Sequence, residues 1–501
     1  MKKRFREHLA RKPIEDLISD SHLDQSHSLR RVLGPIHLVM LGIGVIVGAG
    51  IFVVTGQAAA QYSGPAIILS FVISALACAF AGLCYAEFAS MIPVAGSAYT
   101  YAYATLGKLF AWIIGWDLIL EYLFGAASVA VGWSGYITSF FGDFGMGIPE
   151  YLSSAPLVHD PVLGWQTTGA IMNLPAMLIV GACTLLLVIG IRESAHFNNA
   201  IVVIKIAVIL LFIGFGVAFI NLDNLVPFIP ENTGEFGHYG WSGILRGAGV
   251  IFFAYIGFDT ISTAAQEVKN PQRDMPIGIL GSLAVATVLY ILVAFVLTGM
   301  VNYSRLAVPN PIAVGIDSAG QSLFWLRPFV KIGAIAGLSS VVLVLLYGQS
   351  RIFFTMSRDN LLPRRFAVVH ERFRTPYIIT IITGLAAMLF AGLFPIGLLA
   401  EMVSIGTLLA FVIVCVSVPV LRITHPRMNR PFRTPFVPLV PVLGALISLA
   451  QMIALPLDTM LRLVIWMAVG FVIYFIYGKS HGKKHPRPTS DEPITGILKN
   501  D

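Results

Sequence analysis

The sequence predicts an all-α integral membrane protein with twelve transmembrane helices. Three observations lead there. Hydrophobic residues make up 56% of the 501-residue chain and charged residues only 12%, where soluble domains carry about 25% charged residues. Mean hydropathy is +0.81. Apolar windows of about 20 residues, enough to cross a hydrocarbon core of roughly 30 Å, recur twelve times along the chain. The basic residues also collect in alternate connecting segments, as the positive-inside rule requires.

The elements follow in order. Residues 1–35 are polar and basic, a cytoplasmic segment without the apolar core of a signal peptide. Ile14, Leu17 and Ile18 have the spacing of a helix lying at the membrane interface; a disordered tail is the other reading. The spans are read at 36–60, 65–92, 107–141, 171–191, 194–220, 243–268, 274–301, 326–356, 375–395, 398–422, 438–457 and 459–478. The third and eighth exceed the minimum length and are expected to tilt. Residues 479–501 form a polar tail.

Loop charge tests this count. With the N-terminus inside, the inner segments collect Arg30, Arg31, Lys108, Arg192, Lys269, Arg273, Arg351, Arg358, Arg372 and Arg422, and further basic residues beside them. Arg246, Arg305, Arg327, Lys331 and Arg462 fall in or near outer segments. Both termini are therefore expected in the cytoplasm. The net charge of +7 is dispersed among apolar runs and forms no face, which speaks against nucleic acid. Cys78, Cys84, Cys183 and Cys415 lie in apolar runs without a CxxC spacing and read as free buried thiols. No phosphate loop and no HExxH are present, so ATP-driven pumping and zinc hydrolysis are not expected. No cofactor or metal is expected either.

The first span carries the most informative stretch, LGIGVIVGAGIF at 41–52, with glycines at 42, 44, 48 and 50. Each mid-helix glycine weakens a helix by roughly 0.5–1 kcal/mol relative to alanine. One reading is close helix packing through the Gly44–Gly48 pair; the other is a broken helix. A second interrupted apolar segment, GAGVIFFAYIGFDTIS at 247–262, favours the break, because such pairs in corresponding halves mark the midplane site of transporters. A break in span 1 exposes the amides of Val47, Gly48, Ala49 and Gly50 to an anion, with the positive end of a helix dipole behind them. Carbonyls at Gly44, Val45 and Ile46, and at Phe252, Phe253 and Tyr255, face the other way and suit an ammonium. A carboxylate binder opposite an ammonium binder describes the backbone of an α-amino acid.

Lys205 lies thirteen residues beyond Arg192 in span 5, near the bilayer centre, where an unpaired charge costs at least a few kcal/mol. It either pairs structurally with carbonyls or gains and loses a proton, since burial favours the neutral amine. Asp117 and Glu121 are four residues apart on one face of span 3; like charges at that spacing repel, so one of them is expected to be protonated or paired. They form a polar stripe, or Glu121 recognises a basic side chain. Phe253, Tyr255 and Phe258 flank the second break, as packing or as a lid. Glu87 and Asp259 read as structural polar residues satisfied by helix ends.

The chain resembles the amino acid–polyamine–organocation superfamily, and within it bacterial relatives of the cationic amino acid transporters. The motifs carrying this are GIGVIVGAGIF (42–52), CYAEFASMIPVAGSAYTYAYATLG (84–107), GWDLILEY (115–122), FFAYIGFDTISTAAQEVKNPQRDMPIGI (252–279), LLYGQSRIFFTMSRDNLLP (345–363) and PFRTPFVPLVP (431–441). The resemblance implies a leucine-transporter-type five-plus-five inverted repeat, residues 36–220 and 243–422, followed by two further helices at 438–478. It implies that spans 1 and 6 unwind around the amino acid backbone, at Val45, Ile46, Gly48, Ala49 and Gly50 and at Phe252, Phe253, Ala254, Tyr255 and Gly257. It places the Lys205 ammonium between spans 1, 5 and 8 in place of a coupling sodium. Phe253 matches the gating aromatic, and Leu346 lines the side-chain subsite, where its bulk argues against a long cationic side chain while Glu121 argues for one.

The expected function is proton-coupled symport of an L-amino acid, small and neutral such as alanine, or cationic, across the bacterial cytoplasmic membrane by alternating access. The expected partners are the amino acid, protons and the lipid bilayer; nothing in the chain specifies an accessory subunit. Amino acid exchange and a non-transporting amino acid sensor are the alternatives, and an enzyme is not expected.

Overall fold

The computed structural model describes residues 33–92, 97–160, 164–190, 195–259, 261, 268–373 and 375–478. The amphipathic patch at Ile14, Leu17 and Ile18, the loop with Arg192 and the C-terminal tail lie outside these residues.

Helices occupy all twelve windows. Pro35 sits in the first turn of α1 (Pro35–Ile46), where its missing N–H costs nothing. After a break the chain continues through π-type and 3₁₀ turns into α2 (Ile67–Met91). Then come α3 (Ser97–Thr105), α4 (Lys108–Asp143), α5 (Leu174–Ile189), α6 (Ala195–Gly216), α7 (Gly240–Ile251), α8 (Pro271–Met300) and α9 (Pro311–Ser318). The chain ends with α10 (Leu326–Arg358), α11 (Tyr377–Leu393), α12 (Ile396–Thr424), α13 (Leu439–Ala454) and α14 (Leu457–Ile473). Among the described residues seven helical stretches are long and apolar enough to cross a membrane, and α1, α5, α11 and α13 are shorter apolar helices. This is a multi-pass membrane protein.

Three elements escape the window count because none is a long apolar run. The helix α3 has nine residues, too few to span. Strands β1 (Leu157–Asp160) and β2 (Gly164–Thr167) form an antiparallel hairpin, with Leu157 opposite Thr167. The third is α9, eight residues long.

The core sits around α4, which packs against α10, α12, α5 and α11. Small residues let neighbours approach it: a Cβ at Gly132 would lie 2.9 Å from Val53 Cγ2. At the other extreme α14 turns Leu457, Val464 and Ile465 outward, each more than 60% exposed, as suits a helix against lipid.

Two charge clusters tie the ends of this bundle. At the end of α4, Asp143 accepts from Lys331 Nζ at 2.6 Å and from Arg327 Nη2 at 2.8 Å. Arg327 Nε also reaches Asp317 Oδ1 on α9 at 3.0 Å. At the opposite end Glu87 corrects the expectation of a carboxylate satisfied by helix ends. Its partners are the guanidinium of Arg422, at 2.7 Å and 3.2 Å, the Arg430 guanidinium at 3.5 Å, and the Thr434 amide at 2.8 Å. Three of these four contacts come from side chains, because Glu87 faces α12 and the loop after it. A buried carboxylate needs that many donors.

Candidate substrate site at the paired helix breaks

Span 1 breaks at Val47, whose φ of −75° and ψ of 90° leave the helical region. Helical winding resumes with the π-type turn Gly50–Val54, and the Thr55 hydroxyl donates to the Gly50 carbonyl at 2.9 Å. The second segment breaks after the twelve residues of its helix. The helix α7 passes into a 3₁₀ turn over Phe252–Tyr255, Ile256 is extended at φ −61° and ψ 140°, and Gly257 has φ +105°. That last conformation excludes most side chains and explains the glycine.

The two breaks touch. A Cβ at Gly50 would collide with the backbone of Ala254, and one at Gly257 with the Val45 side chain. Gly48, Ala49 and Gly50 thus open the second half-helix against the Phe252–Tyr255 turn. Amides at a helix start have no partner within the helix, so this junction presents donors. The expected donor set needs one correction: the Val47 amide is not available, because it closes α1 on the Ile43 carbonyl at 2.9 Å.

The acceptors are also more committed than their positions suggest. Gly44 O accepts from Lys205 Nζ at 2.8 Å. Phe253 O accepts from the Ile256 amide at 3.3 Å. Ile46 O and Ala254 O both receive the Tyr290 hydroxyl, at 2.8 Å and 2.7 Å. Tyr290, on α8, is fully buried and joins both breaks through one proton that serves only one carbonyl fully at a time. Sequence reasoning missed it. The available signal was a lone phenol within the apolar run 283–297, since a buried tyrosine hydroxyl needs a partner. Tyr290→Phe should lower thermal stability, because an orphaned buried acceptor costs roughly 1–3 kcal/mol. It should also lower the KM for uptake about ten-fold, because an incoming donor then relieves those acceptors without displacing a hydroxyl. An unchanged KM in the folded variant would remove Tyr290 from the site.

Lys205 is fully buried between α1 and α10: besides the Gly44 carbonyl, its methylenes lie on Gly337, where a Cβ would sit 2.9 Å from Lys205 Cε. Gly48 faces α10 too, with Val341 Cγ2 3.2 Å from the position of its missing Cβ. Leu346 is buried on the same helix. The aromatics separate. Phe252 and Phe258 each pack edge-on against Phe411 at 5.1 Å. Tyr255 donates to Phe71 O at 3.3 Å and packs on Tyr290, which commits its side chain to the core rather than to a lid. Phe253 has no ring partner among the described residues.

Glu121 and Asp117 are buried on α4, and Asp259 is buried just past the second break. One oxygen each of Asp117 and Glu121 has no hydrogen-bond partner among the described residues. The Asp117 oxygen lies against Gly406 of α12, 2.7 Å from where a Cβ would stand.

Known proteins carry the same pattern across this length. The amino acid permease family model matches residues 33–477. The chain belongs to the amino acid permease family. This permease is 46% identical to a methylthioribose transporter of Bacillus subtilis, over 94% of its own length and 98% of that protein's. It is 45% identical to the branched-chain amino acid permease BcaP of the same organism, with the same coverage. The human cationic amino acid transporter 4 is 36% identical over 82% of this permease and 62% of its own length. These relatives are transporters, so the permease is a membrane transport protein and not an enzyme. It fits the superfamily to which the motifs point.

Proposed function

We propose that this permease is a proton-coupled symporter of L-amino acids in the bacterial cytoplasmic membrane, working by alternating access. The observation that carries the reading is the meeting of two broken helices at Gly50 and Ala254, with the Lys205 amine on a carbonyl of the first. Amides of Gly48, Ala49 and Gly50 receive the substrate carboxylate. The ammonium goes to the carbonyls of Ile46 and Ala254, taking over from the Tyr290 hydroxyl. Phe253 closes over the ligand. Lys205 carries the proton: a neutral amine lets go of Gly44, an ammonium holds it, and α1 shifts accordingly.

The twelve windows are read as twelve spans in two inverted repeats, 36–220 and 243–422, with two more helices at 438–478 and both termini in the cytoplasm. The interrupted helices in matching positions support this arrangement. For the side chain, Val341 faces Gly48 and Leu346 is read as lining the subsite, and both are apolar, which favours neutral substrates; BcaP is named for branched-chain ones. Glu121 marks the competing cationic reading.

Uptake into proteoliposomes under an inward proton gradient, without sodium, tests this. Radiolabelled leucine or alanine should accumulate, and a protonophore should abolish the accumulation. Arginine uptake instead gives the specificity to Glu121. Uptake only against internal substrate makes the permease an exchanger, and competition by methylthioribose alone overturns the amino acid reading.

A further inference from the structure

A cleft of about 630 Å³ lies between the first turns of α8 and the loop after α12, on the side that the loop charges assign to the cytoplasm. Gln272 and Arg273 stand at its mouth, and Pro276 and Phe432 line its walls. The Arg273 side chain is exposed, and among the described residues no carboxylate pairs with it; the adjacent Asp274 is buried. The loop wall is rigidly held: the Phe432 amide donates to Ser90 Oγ at 3.3 Å, and the Thr434 amide to Glu87 at 2.8 Å.

Below the mouth the apolar wall continues. Ile277, Val285, Val288, Leu292 and Phe295 recur along one face of α8, between 37% and 58% exposed. That stripe runs from the cleft toward the opposite side of the membrane, on a helix of 30 residues. A soluble anion would use the guanidinium and leave the stripe bare. A neutral lipid would use the stripe and leave the guanidinium unpaired.

The geometry points to an anionic glycerophospholipid, with its phosphate on Arg273 at the mouth and an acyl chain along Ile277 and Val285. A guanidinium forks onto two phosphate oxygens, and basic clefts between membrane helices on the cytoplasmic side hold anionic headgroups. The lipid bridges α8, which carries Tyr290, and the loop anchored on Glu87. It therefore couples the annular lipid to the helix that touches both breaks.

The test is native mass spectrometry of the purified full-length permease released from bilayers of equal phosphatidylglycerol and phosphatidylcholine. The wild-type protein should retain phosphatidylglycerol preferentially. Arg273→Gln should lower that retention about five-fold, the effect of one cation at a membrane surface. Arg273→Lys should keep part of it, Ile277→Asn should weaken it, and Arg365→Gln, at an exposed arginine elsewhere, should leave it unchanged. Equal retention of the two lipids, retention indifferent to Arg273→Gln, or displacement of the lipid by inorganic phosphate alone would overturn the proposal. The readout does not depend on transport, so it stands or falls separately from the symport reading.

Discussion

Lys205→Ala should abolish proton-driven accumulation while leaving substrate binding in place. One pH unit across the membrane is worth about 1.4 kcal/mol, so a one-to-one symporter can concentrate its substrate about ten-fold on such a gradient. The alanine variant should equilibrate substrate to a ratio of about one, because nothing else at the first break titrates in its place. Binding survives because the lysine touches the Gly44 carbonyl, one turn from the Gly48–Gly50 amides. Binding measured by scintillation proximity and uptake measured under an imposed gradient separate the two effects. Full accumulation by Lys205→Ala would end the coupling role. The loss leaves the buried Gly44 carbonyl without its donor, so thermal stability should fall by roughly 1–3 kcal/mol alongside the loss of coupling.

Gly50→Val should remove uptake altogether, by more than a hundred-fold, even where the protein still reaches the membrane. A single added methyl already collides with the Ala254 backbone, so the two breaks must separate. Overpacking of this kind costs about 1–3 kcal/mol in stability, which a chain of this size can survive. The junction cannot, because its donors and acceptors act only while they face one gap. Gly50→Ala with Ala254→Gly removes one of the clashing atoms but not the backbone contact, and should recover only part of the activity. Thermal stability measured on the same preparations distinguishes a displaced junction from an unfolded protein. Normal uptake by Gly50→Val would place the substrate elsewhere.

Much of this junction was legible before any coordinates. Glycine clusters announced both breaks, because glycine is the residue that permits close backbone contact and positive φ. Hydropathy located the helices to within a few residues, since lipid forces apolar side chains outward along entire spans. What remained hidden was pairing. The spacing around Ile46 and Ala254 says that carbonyls leave the helix there, but not that Tyr290, from a helix far along the chain, reaches both. Likewise nothing near Glu87 in sequence names Arg422 or Arg430, more than three hundred residues away. The Val47 amide was misjudged for a local reason: a helix end keeps its last hydrogen bond one residue further than the glycine pattern suggests.

The alternating series Lys331, Asp143, Arg327 and Asp317 also sets the mechanical grain of that end of the molecule. Lys331 is fully buried and its partner Asp143 mostly so, whereas the Arg327 and Asp317 side chains are 28% and 40% exposed. Parting a buried pair costs about 3–5 kcal/mol, while a half-exposed one yields for about 1 kcal/mol or less. A pull that lifts α9 from α10 therefore parts only Arg327–Asp317, while Lys331–Asp143, which joins α10 to α4, stays closed. The short helix is hung on a weak rivet beside a strong one, and thermal energy alone can work the weak one open and shut.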